Sequence, residues 1–117
     1  MKRISFCFLF VTMAIISLNA NSSIEQNLYA GYYVDEVINL LGEQTSDILR
    51  VINENYRAYE HEPRYSLFFS QDELRNSVII RVVEWRIKHS TILVWGTHNQ
   101  DGWIVFSSLR WPDYIVF

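Results

Sequence analysis

From Ser77 onward the chain is a succession of alternating apolar runs divided by turn signals, and this restricts the fold more than any other feature. Val78 to Lys88 begins apolar on both faces. It then sets Val83, Trp85 and Ile87 against Glu84, Arg86 and Lys88, so its later half has one wet face. Lys88 to Thr91 reads as a turn, and Ile92 to Thr97 as the next strand. Asn99-Gln100-Asp101-Gly102 carries an Asp-Gly turn signal. Trp103 to Leu109 follows, with Trp103, Val105 and Leu109 on one face and Ile104 and Phe106 on the other; Pro112 ends the run before the tail Tyr114 to Phe117. Strands joined by such short turns pair with their sequence neighbours, which predicts an antiparallel meander.

The clearest helical signal lies between Gly31 and Gly42. Val34, Val37, Ile38 and Leu41 fall at i, i+3, i+4 and i+7, one face of a helix. Asp35 and Glu36 place negative charge in the first turn, and Gly42 supplies a left-handed cap. Thr45 to Tyr59 has two readings. Ile48, Ile52, Tyr56 and Tyr59 fit a second helix face, or Ile48 to Ile52 and Tyr56 to His61 are short strands; the aromatic side chains favour strands. Beyond Pro63, Tyr65 to Ser70 alternates, and Ser70-Gln71-Asp72-Glu73 is either a capping box or a polar link. The expected fold class is α+β: an N-terminal helix, or two, packed on a meander of about four strands.

The stretch Gly31-Tyr32-Tyr33-Val34-Asp35-Glu36-Val37-Ile38-Asn39-Leu40-Leu41-Gly42-Glu43-Gln44-Thr45 resembles the opening motif of the SmpA/OmlA (BamE-type) envelope proteins. The resemblance implies a helix packed on a small antiparallel sheet, similar to one repeat of the secreted β-lactamase inhibitor protein. The stretch departs from the motif at Gln44, where proline is usual, and at Tyr33, where Ser or Thr is usual, so the resemblance extends to the fold and not to a role in outer-membrane protein assembly.

The N-terminus reads as a secretory signal. Lys2 and Arg3 form a basic start, Ile4 to Leu18 is almost wholly apolar, and Ala20 is a small residue at a cleavage point. The apolar run, about 15 residues, falls short of the roughly 20 that span hydrocarbon. Cleavage is therefore expected after residue 20, with retention as an uncleaved anchor the alternative. The expected layout is a signal peptide over 1–20 and a single small domain over 21–117, exported to the periplasm or secreted, with no stable membrane span. The one cysteine, Cys7, lies inside the apolar run, so the domain has no disulfide, thiol nucleophile or lipid-attachment cysteine. Loss of Lys2 and Arg3 leaves 8 basic residues against 13 acidic, a net charge of about −5. An acidic domain repels phosphate backbones, so nucleic acid is not expected as a partner.

The sequence offers little catalytic apparatus. His61, His89 and His98 make no metal-ligand pair, and no metal or cofactor is expected. Glu60 and Glu62 could share a strand face and Asp72 and Glu73 are adjacent, but both pairs read as solvated charges. No nucleophile elbow or phosphate-cradling glycine loop is present, so no catalytic residue is assigned. The unusual feature is four tryptophans: Trp85, Trp95 and Trp103 on successive strands and Trp111 at the end of the last. On one face they would form a ladder, either core beneath the helix or an exposed patch edged by Arg81, Arg86 and Arg110. Trp and Arg dominate binding hot spots, so Trp85, Trp95, Trp111, Arg86 and Arg110 are the candidate protein-binding residues. The expected function is a non-enzymatic protein-binding domain of the cell envelope. Its alternatives are a secreted inhibitor or immunity protein and a small hydrolase.

Overall fold

The computed structural model describes residues 24–115. The expected signal peptide lies outside the described residues. Among the described residues no helix is long and apolar enough to cross a membrane.

The elements follow the chain as β1 (Glu25–Gln26), α1 (Val34–Leu41), β2 (Ser46–Ile52), a 3-10 turn (Tyr65–Leu67), α2 (Gln71–Arg75), β3 (Val78–Ile87), β4 (Ser90–Asn99) and β5 (Gly102–Pro112). The fold is α+β, and its strands form one antiparallel sheet in the order β1-β5-β4-β3-β2. The meander has the expected four strands, and short β1 adds a fifth by pairing Glu25 with Arg110 and Gln26 with Leu109.

The sheet is covered on both faces, and two core clusters result. Val34 and Val37 of α1 are buried on one face with Val83, Trp85, Ile92, Val94 and Val105. Fully burying a valine side chain contributes roughly 1.5–3 kcal/mol, so these two hold most of the helix in place. Ile38 and Leu41 are only partly buried. On the other face Ile52, Ile80, Val82, Trp95 and Leu109 pack beneath Tyr65, Phe69 and Leu74. That second cover is the long connection between β2 and β3.

Several local features depart from expectation. Ser46–Ile52 is a strand, but Tyr56 to His61 is not. Tyr65 to Ser70 is not an alternating strand: Tyr65–Leu67 is the 3-10 turn, and Tyr65 and Phe69 are buried. The second helix is α2, closed by a reciprocal cap: Ser70 Oγ accepts from the Glu73 amide at 3.1 Å and Glu73 Oε1 accepts from the Ser70 amide at 2.8 Å. Gly42 has the expected positive φ of 90°, but its ψ of −165° is extended, a region that essentially only glycine occupies. At Gly96, an added Cβ would lie 3.0 Å from Val34 Cγ2, so the missing side chain lets α1 start against the sheet.

A bulge explains the largest change of face. Gly96 pairs with Val105 while Trp95 pairs with Ser107, so Phe106 is the extra residue. Val105 points toward α1, yet Phe106, Leu109 and Trp111 join the opposite cluster. Strict alternation would have kept Leu109 on the Val105 face.

Candidate functional site

The bulge also divides the tryptophans. Trp85 and Trp103 lie on the α1 face; Trp95 and Trp111 lie on the other. They do not form one ladder. Trp85 is 0% exposed and Trp95 1% exposed, so both are core and neither belongs to an exposed patch. Trp103 and Trp111 are half-buried. The arginines are not gathered either. Arg86 pairs with Glu84 at 3.2 Å and Arg110 with Glu25 at 3.4 Å, both on the surface. Arg81 makes a two-pronged contact to Asp47, 2.9 Å from Nε and 2.6 Å from Nη2, with Asp35 of α1 3.9 Å away. The hydrogen bonds from Arg81 hold the Asp47 carboxyl below its ordinary range, against a smaller opposing effect of burial. Of the five residues expected to bind protein, two are core, one is half-buried, and the two arginines are matched to nearby acids.

The loop after β2 contains a buried carboxylate, Glu62, which departs from its expected place among the solvated charges. The Glu62 side chain is 1% exposed. It accepts from Tyr65 Oη at 2.6 Å, Tyr56 Oη at 2.9 and 3.0 Å, and the Tyr59 amide at 3.0 Å, with Arg50 Nη1 at 3.5 Å. Burial works against ionisation, but these donors together outweigh it and lower the Glu62 pKa. Burial, then the bond to Glu62, pushes the Tyr65 hydroxyl far above its ordinary value. Tyr56 shifts the same way for the same reasons. Arg50 lies on β2 and the other groups on the loop after it, so the cluster fastens that loop to the strand. Glu60, the supposed partner carboxylate, is exposed. The signal for the cluster was the spacing of Tyr56, Glu62 and Tyr65 around Pro63.

Exposed apolar surface concentrates instead on β2. Leu49 is 64% exposed, Val51 56%, and Ile79 of β3, directly opposite Val51, 54%. These three share the α1 side of the sheet, beyond the helix; Ile48 is exposed on the other side. β2 pairs only with β3 among the described strands, so its outer edge carries open backbone donors and acceptors. The two charged residues of the strand are engaged inward, Asp47 by Arg81 and Arg50 by Tyr56 and Glu62. The sequence signal was present: Leu49 and Val51 alternate with Ile48 and Ile52, so both faces of this short run are apolar.

Among the described residues no three His, Cys, Asp or Glu side chains are grouped as a metal site. Comparison with family models, curated proteins and solved structures finds no match to this chain. The resemblance to the SmpA/OmlA proteins therefore stands on the Gly31 to Thr45 motif alone.

Proposed function

We propose that this chain is an exported, non-enzymatic binding domain that takes an extended segment of a protein partner as an added strand along β2. The observation that carries the reading is the open edge of β2 with Leu49 and Val51 exposed beside Ile79. Sheet edges in soluble proteins are usually blunted by charge, proline, a bulge or a covering loop. Here the strand's own charges are turned to internal partners, and its apolar side chains face outward. Strand addition supplies main-chain hydrogen bonds, while alternate side chains supply selectivity. The acidic balance of residues 21–117 suits a partner segment with basic residues among its apolar ones. Export rests on the basic, apolar and small-residue order of the N-terminus.

A photo-crosslinking residue at position 49 tests the reading in an envelope preparation. The expected result is a discrete adduct that disappears when Val51→Lys is added, while the same probe at Asp101 gives none. Adducts at 101 and not at 49 would move the binding surface elsewhere.

A further inference from the structure

The two edges of the sheet are unequal. β1 is two residues long, too short to template another chain. β2 closes the other side with seven residues, about 24 Å of strand. Its outer backbone is open, and Ile48, Leu49 and Val51 are all exposed along it. Natural edges are protected, and the one occupant present wherever this chain is present is a second copy of it. Because β1 offers no second templating edge, β2 meeting β2 closes a two-fold pair and does not grow into a fibre. β2 is also self-complementary in one register. A two-fold axis at an antiparallel strand pair places one residue opposite itself. Leu49 is the middle of Ser46–Ile52, so an axis at Leu49 pairs all seven residues. Asp47 then lies opposite Val51 of the second copy and Arg50 opposite Ile48, so no like charges meet. An axis at Asp47 or Arg50 sets like charge against like, and one at Ile48 pairs residues 46–50 only.

Resting on the reading of β2 as a strand-accepting edge, we infer that in the free protein this edge pairs with β2 of a second copy, antiparallel and centred on Leu49, and that a partner segment must displace that copy. Two five-stranded sheets become one of ten strands, with both α1 helices on the same face. Leu49 meets Leu49 of the second copy there, and the two Val51 side chains lie diagonally beside them. Asp47 and Arg50 bring their own counter-charges, Arg81 and Glu62, so the junction leaves neither unpaired. The joined area is a single strand pair, at the low end of interface sizes, so the pairing is weak enough to be exchanged for a better segment. Two copies of about −5 charge repel, and salt screens that repulsion. Self-pairing therefore tightens with salt, whereas a basic partner segment is released by it.

Analytical ultracentrifugation of the purified protein across the micromolar range tests this. The expected result is a monomer–dimer equilibrium that shifts toward dimer as salt is raised. Leu49→Lys with Val51→Lys should weaken it by at least about tenfold, and Trp111→Ala should leave it within about threefold. Disulfide trapping in a Cys7→Ser chain reads the register. Leu49→Cys should link two copies quickly on mild oxidation, because residues facing across the axis have Cα atoms about 4.5–5.5 Å apart, inside the range a disulfide bridges. Val51→Cys should not, since its two copies sit about 14 Å apart along the strands. A protein that stays monomeric, a dimer untouched by the lysine pair, or equal linking at 49 and 51 would overturn the inference. A monomer that still gives the position 49 adduct with a different protein would end self-pairing alone and leave the reading of β2 standing. A monomer with no adduct of any kind at 49 would end both.

Discussion

The Trp85 indole N–H donates to the carbonyl of Gly42 across 2.9 Å, joining the end of β3 to the C-cap of α1. A bond between residues so far apart in sequence fixes where α1 stops relative to the sheet. It also satisfies a helix-end carbonyl and a buried donor together. Trp85→Phe removes the bond and also the part of the indole that a phenyl ring does not fill, and it should lower stability by about 2–4 kcal/mol in urea denaturation. Gly42→Ala should lower it by about 1–3 kcal/mol, because the extended positive-φ conformation is strained for any side chain although space for a Cβ is open.

Within α1, the burial gradient predicts unequal effects along one face. Val37→Ala should destabilise by about 2 kcal/mol, since Val37 is wholly buried. Leu41→Ala should lose about 1 kcal/mol although it deletes more atoms, since Leu41 is only partly buried. Thermal or urea unfolding of the two variants gives the order directly; a larger loss at Leu41 would place the helix differently on the sheet.

The buried Glu62 gives the fold an acid-sensitive fastening. Its folded pKa is lowered from an ordinary 4.5, so the folded state binds fewer protons than the unfolded chain in the acid range. Its contribution is complete above that ordinary value and is lost as pH falls through the folded one. Glu62→Gln should therefore cost about 1–3 kcal/mol at neutral pH and flatten the stability decline below pH 4.5. Denaturation midpoints across the acid range, wild type against variant, measure the difference.

The parts of this fold that could be read from the sequence were those set by local rules. The helix from Val34 was visible because its apolar spacing, acidic first turn and closing glycine agree, and the three C-terminal strands because turn signals separate them. Tertiary contacts decided the rest. No local signal announces the bulge at Phe106, yet it moves Leu109 and Trp111 to the face opposite Val105 and so divides the tryptophans. Tyr65 and Glu62 read as strand and surface, but a hydrogen-bond cluster drawn from both sides of Pro63 buries them. The expected Trp/Arg surface needed Trp95 outside the core, and it is inside. A sheet covered on both faces has more interior than a sheet covered on one.

The proposed seat of binding energy is the edge of β2 and not the tryptophans and arginines. Its most direct measurement is the affinity of the crosslinked partner, by calorimetry or interferometry, for two double variants of matched stability. Leu49→Lys with Val51→Lys should weaken binding by more than about tenfold, because lysines on an edge strand oppose strand addition. Arg86→Ala with Trp111→Ala should change it by less than about threefold, within the small effect expected of residues outside the contact. The reverse order, with full affinity kept by the lysine pair and lost by the Arg86 and Trp111 pair, would place the binding energy on the tryptophan and arginine surface instead.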